Sequence, residues 1–156
     1  MDLEKLFEFI KEKRGYDVPF EYKLIEGLPM TEDDLNIKGD LFLTFSVIKS
    51  LPDNLTVGGE LYLYRSEIKE LPNNLVVYGD LTIRYTDIKT LPDNIRVGRH
   101  FDARNTNLSS IPNNLRIGGD FFIRSTPLSN KNTGTEIRKM IEDKGGSVGG
   151  DIITYD

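Results

Sequence analysis

Apolar residues return along this chain at a fixed spacing of twenty, and the copies align without a gap. Four segments read LPDNLTVGGELYLYRSEIKE from Leu51, LPNNLVVYGDLTIRYTDIKT from Leu71, LPDNIRVGRHFDARNTNLSS from Leu91 and IPNNLRIGGDFFIRSTPLSN from Ile111. A degenerate copy, TEDDLNIKGDLFLTFSVIKS, precedes them from Thr31. Leu35, Leu55, Leu75, Ile95 and Leu115 form one apolar column, and Ile37, Val57, Val77, Val97 and Ile117 a second. Leu41, Leu61, Leu81, Phe101 and Phe121 form a third, and Leu43, Leu63, Ile83, Ala103 and Ile123 a fourth. Columns beginning at Ile48 and Leu51 complete the set. One turn of twenty residues cannot bury these side chains, but stacked turns bury them against one another as a continuous core. Leu61 and Leu63 are two apart, the alternation of a strand. The pattern therefore predicts a β-rich solenoid: a parallel sheet of five to six rungs, with strands centred near residues 42, 62, 82, 102 and 122. Steps such as Gly58–Gly59 are read as tight turns before each strand, and Pro52, Pro72, Pro92 and Pro112 as corners.

The flanks read as caps on a single domain: residues 1–30, then five repeats over 31–130, then 131–156. Leu3, Leu6, Phe7 and Ile10 share one face of a helix over 2–13, with Gly15 after its end. At the other end Thr133-x-x-Glu136 has the form of a capping box, Ile137, Met140 and Ile141 make an apolar stripe, and Gly145 stops the helix. Val148-Gly149-Gly150-Asp151-Ile152 then repeats the pattern from Ile117, which predicts a sixth strand. The glycine-rich GGSVGG at 145–150 lacks the lysine and spacing of a phosphate loop and reads as helix stop plus strand entry.

Two polar columns are expected to be structural ladders that bond the backbone of adjacent rungs. One is Asn54, Asn74, Asn94 and Asn114, with Asp34 in the first copy. The other is Ser46, Ser66, Thr86, Thr106 and Thr126. Asn54-Leu55-Thr56 matches a glycosylation sequon but lies in the first ladder. The stretch LYLYRSEIKELPNNL resembles the leucine-rich repeat pattern L-x-L-x-x-N-x-L-x-x-L-P-x-x-L. It is similar to the short, proline-cornered repeats of bacterial and phage-encoded proteins, over about residues 31–130. Ser or Thr stands where that pattern has Asn, and a V-G-G-D/E step replaces a leucine pair. The resemblance implies a solenoid whose strand face lines a concave binding surface.

Composition narrows the chemistry. The chain has no cysteine and one histidine, so disulfides, thiolate metal sites and cysteine nucleophiles are excluded and a zinc site is not expected. Its net charge is −5. Residues 1–40 carry six Lys/Arg against eleven Asp/Glu and residues 41–130 ten against nine, so the acid sits ahead of the repeats. Such a balance does not suit a general polyanion binder. The opening MDLEKLFEFI places acids where an export signal needs basic residues, and no apolar run approaches a membrane span. A cytoplasmic protein is expected, of a bacterium or of an infected cell if phage-encoded, with no membrane association. His100 replaces an acid in the column Asp40, Glu60, Asp80 and Asp120 and reads as a solvated surface residue. Repeats space these carboxylates automatically, and an open sheet offers no pocket to split their pKa values. No catalytic residue, metal site or cofactor is expected.

The variable positions carry the functional expectation. Phe42, Tyr62, Thr82, Asp102 and Phe122 lie beside the strand core. Thr44, Tyr64, Arg84, Arg104 and Arg124 follow, then Phe45, Arg65, Tyr85, Asn105 and Ser125. Alternation puts the first two rows on the outer sheet face, and Tyr, Phe and Arg are enriched at binding hot spots. The expected site is Phe42, Tyr62, Tyr64, Arg65, Arg84, Tyr85, Arg104, Phe122 and Arg124, and the expected function is protein binding without catalysis. One alternative is a phosphate-bearing ligand, nucleotide or nucleic acid, on the arginine column, with Arg96, Arg99 and Arg116 nearby. Another is a structural or assembly role, with self-association through an open solenoid end.

Overall fold

The computed structural model describes residues 2–14 and 18–155, and the chain divides into two compact units, Met1–Asp34 and Leu35–Asp156. The first unit holds helix α1 (Leu3–Arg14) and helix α2 (Phe20–Glu26). Gly15, read as the stop of the first helix, lies outside the described residues, as do the side chains of Leu3, Phe7 and Ile10. Leu6, on the same expected face, is 38% exposed. A left-handed Gly27 with φ 64° ends α2. Lys23 Nζ meets both carboxylate oxygens of Asp34 at 2.8 and 2.7 Å. The Thr31 N–H also donates to Asp34, and the Asp34 N–H to the Thr31 hydroxyl.

The second unit is a parallel β-solenoid with two sheets, where one was expected. The first sheet stacks β1 (Asn36–Ile37), β3 (Thr56–Val57), β5 (Val76–Val77), β7 (Arg96–Val97), β9 (Arg116–Ile117) and β11 (Ser147–Val148). The second stacks β2 (Leu41–Phe42), β4 (Leu61–Tyr62), β6 (Leu81–Thr82), β8 (Phe101–Asp102), β10 (Phe121–Phe122) and β12 (Ile152–Ile153). Every pairing is parallel and in register, Leu61 opposite Leu81 and Leu81 opposite Phe101. The strands are two residues long, so their stability comes from stacking: Leu61, Leu81, Phe101 and Phe121 are fully buried, as are Leu55, Leu75, Ile95 and Leu115.

The glycine step has a different cause from the one expected. None of the glycines at 58, 59, 98, 118 or 119 has a positive φ; among the described residues Gly27 and Gly145 are the glycines that do. They are small because the rungs approach closely: a Cβ on Gly118 would run into the Gly98 carbonyl oxygen, and one on Gly98 into that of Tyr78. The left-handed positions are held by other residues. Asn54, Asn74, Asn94 and Asn114 have φ of 62°, 57°, 66° and 55°, a region Asn tolerates better than other side-chain-bearing residues. Their amides join in two pairs, Asn74 donating to Asn54 and Asn114 to Asn94, each at 3.0 Å. The Asp34 carboxylate is held by Lys23 and by the Thr31 N–H. Four of the five Ser/Thr side chains bond their own rung and not the adjacent one. Ser66, Thr86, Thr106 and Thr126 each donate to the carbonyl three residues back, at 2.7–2.9 Å.

Beyond the fifth rung two helices replace one return loop. Helix α3 (Pro127–Lys131), not foreseen, begins at Thr126, whose hydroxyl accepts from the Ser129 N–H. Helix α4 (Gly134–Asp143) has the expected capping box between Thr133 and Glu136 and buries Ile137 and Ile141. Gly145 follows at φ 78°. α4 packs on β11 and β12.

Candidate functional site

The outer face of the second sheet begins with the strand residues Phe42, Tyr62, Thr82, Asp102 and Phe122. Phe42 and Tyr62 are register partners, and their rings stack at 4.9 Å with planes 8° apart. Phe42 is 64% exposed, while Tyr62 is half-buried beneath the stack and its hydroxyl donates to the Glu60 carboxylate.

The chain then makes a left-handed turn in each of the five repeats, at Phe45 (φ 57°), Arg65 (52°), Tyr85 (56°), Asn105 (57°) and Ser125 (58°). From that turn the side chains reach back over the face. Phe45 meets Tyr64 edge-on at 5.5 Å, and Tyr64 meets Tyr85 edge-on at 5.6 Å. The Arg65 guanidinium lies 5.5 Å from the Tyr64 ring and 5.0 Å from Tyr85. Arg84 lies 5.8 and 5.6 Å from the same two rings. Two tyrosines thus hold two guanidinium groups, within the roughly 6 Å reach of a cation–π contact.

The C-terminal half of the face is different in kind. Arg104 grips Asp102 through two nitrogens, Nε at 2.9 Å and Nη2 at 2.6 Å. That hydrogen bond to the carboxylate raises the Arg104 pKa, outweighing partial burial, so the guanidinium is held charged. Arg84 Nε stands 3.7 Å from the same carboxylate. Arg104 also covers the Phe122 ring at 5.2 Å. Between the halves lies a shallow groove of about 500 Å³. It opens over Thr82, between Tyr62 and Tyr64 on one side and His100 and Phe122 on the other.

The structure thus joins the expected residues into two groups. Phe42 and Tyr62 adjoin Tyr64, Arg65, Arg84 and Tyr85 at the N-terminal rungs, while Arg104 and Phe122 sit with Asp102 further along. Arg124 is half-buried in the same column. Arg96 and Arg116 are not near the arginine column: they stand in β7 and β9, on the outer face of the other sheet. Phe45, 65% exposed, and Asp102 belong to the site but were not among the expected site residues. Asn105, a residue suited to left-handed backbone, was the one sequence signal for that turn.

The acid column is occupied structurally. Asp40, Asp80 and Asp120 accept the backbone N–H of Glu60, His100 and Asp151 at 2.8–2.9 Å. His100 continues the same ladder, its Nδ1 accepting the Asp120 N–H at 3.0 Å. It is therefore a rung-to-rung acceptor and not simply a solvated side chain. Among the described residues no group of three or more metal-ligating side chains converges, and no helix is long and apolar enough to cross a membrane. Comparison with protein-family models, curated proteins and solved structures gave no significant match.

Proposed function

We propose that this chain is a non-catalytic binding module that takes a protein partner on the outer face of its second sheet, centred on Phe42, Phe45, Tyr64, Arg65 and Tyr85. The left-handed turn column carries this reading. Two columns make the same backbone demand, and a left-handed φ costs a side chain other than Asn or Gly about 1–2 kcal/mol. The corner column meets it with Asn in all four rungs. The face column instead holds Phe45, Arg65 and Tyr85, with Asn105 and Ser125 only at its far end. Folding alone favours Asn or Gly there, so the bulky side chains are kept for what they present. They present aromatic rings and a guanidinium, the groups that dominate protein interfaces.

The resemblance to leucine-rich repeats supports the same surface, because the matching positions there line the concave binding face. A bacterial or phage-encoded origin and a cytosolic setting belong to this reading. The phosphate alternative on the Arg84, Arg104 and Arg124 column has less support, since Asp102 already faces two of those arginines. The assembly alternative through the C-terminal end has less support because α4 packs on the last strands.

The test is retention of a protein from lysate of the producing cells on the immobilised chain. Tyr62→Ala with Tyr64→Ala is expected to lose the retained protein while the solenoid stays folded by circular dichroism. Undiminished retention by folded variant would move the site off this face.

A further inference from the structure

The outer face of the first sheet carries a second constellation. Its outward row runs Thr56, Val76, Arg96, Arg116 and Ser147, each opposite the next in register. Arg96 and Arg116 are both exposed, and parallel register sets their backbones about 4.8 Å apart. Among the described residues neither makes an ion pair. Like charges directly opposite on a sheet are destabilising, and the same row is uncharged at Thr56 and Val76. By contrast Arg104 and Arg99 each have a carboxylate within 4 Å, Asp102 and Asp80 respectively.

Beside this pair the surface carries few side chains. The adjoining column is glycine at 58, 98, 118 and 149, and at Gly98 and Gly118 the close approach of the previous rung leaves no room for a Cβ. Tyr78 interrupts that column, with 64% of its surface exposed. The two arginines, Gly98, Gly118, Tyr78 and Ser147 line one depression of about 440 Å³, within the roughly 300–1,000 Å³ of small-ligand sites.

We propose that this depression is a binding site for a small phosphomonoester that carries a planar ring, of the nucleoside monophosphate class. Arg96 and Arg116 face the phosphate together, the Ser147 hydroxyl donates to it, and the ring lies on the glycine strip against Tyr78. Two cations in register match a dianion. A phosphomonoester carries about −1.5 to −2 charge at neutral pH, whereas one carboxylate would leave half of the arginine pair uncompensated. The backbone at Gly98 and Gly118 leaves the floor beside Tyr78 open to a flat group. This site is independent of the protein-binding face, being on the other sheet.

The experiment is a titration of the full chain, followed by amide chemical shifts, with adenosine monophosphate, adenosine and inorganic phosphate in separate arms. Adenosine monophosphate is expected to bind at least tenfold tighter than either fragment, with shifts centred on residues 96–98, 116–118 and 147–149. Arg96→Gln with Arg116→Gln should weaken it tenfold or more. Tyr78→Ser should reduce it to the affinity of inorganic phosphate. The proposal is overturned if adenosine monophosphate shows no saturable shifts at millimolar concentration, or if they centre on Arg84 and Arg104. It is also overturned if the double glutamine variant, folded by its spectrum, binds as before, or if inorganic phosphate binds as tightly as the nucleotide.

Discussion

His100 differs in chemistry from the rest of its column but plays the same structural part. Its imidazole nitrogen accepts the next rung's N–H where aspartates do so elsewhere. His100→Ala leaves the Asp120 N–H without that acceptor and should cost about 1 kcal/mol. His100→Asp should recover most of it. Denaturant midpoints decide this, and equal midpoints for the two variants would contradict the acceptor role. The repeat makes such columns visible as columns, but residue type does not say which group each side chain bonds. The Asp/His ladder exists only because stacking brings each residue under its equivalent in the next rung, and four of the five Ser/Thr side chains bond backward within their own rung. At Asp34 burial pushes the carboxyl pKa up, but the hydrogen bonds from Lys23 and Thr31 outweigh it and hold the group below its ordinary 3.8. A depressed folded pKa contributes stability that is present above the unfolded value and lost as pH falls through the folded one. Asp34→Asn should therefore flatten the acid limb of a stability-against-pH curve below about pH 4. An unchanged acid limb would show that the pair does not act on folding.

At the scale of elements, two-residue strands have no independent stability, and each is held by its neighbours above and below. Leu81, fully buried between Leu61 and Phe101, is the middle of that stack. Leu81→Ala should cost roughly 2–5 kcal/mol in urea unfolding, and a loss below about 1 kcal/mol would mean that the column does not bear on the core. The second-sheet strands were legible because Leu61 and Leu63 alternate across a variable residue in every copy. The first-sheet strands were not, although Leu55 and Val57 alternate too. The glycines that follow them have the same composition as a tight turn, and only the contact between rungs separates the two causes. Helix α3 is too short to show helical periodicity, and its cap pairs Thr126 with Ser129 where the usual signature has Glu or Gln. α4 was legible because its cap and its apolar stripe agree.

For the whole molecule, the repeat explains why core and surface can be separated so cleanly. Each rung contacts its neighbours through fixed columns, which leaves the outward positions free to vary without loss of the fold. The candidate face was legible as variation, but its organisation was not. No rule of composition places Phe45, Arg65 and Tyr85 in left-handed backbone, and it is that geometry that turns them over Tyr64. The central claim is that these side chains are held in a disfavoured conformation because they bind. The most direct test combines two readouts on one protein, Phe45→Asn with Arg65→Asn and Tyr85→Asn. Relief of about 1–2 kcal/mol of backbone strain per site opposes the loss of ring contacts worth about 0.5–1.5 kcal/mol each. Its unfolding free energy should accordingly stay within about 1 kcal/mol of the parent or rise, while the protein partner retained by the parent is lost. A variant that keeps the partner at parental affinity, or that loses several kcal/mol of stability, would contradict the claim and make the column part of the scaffold.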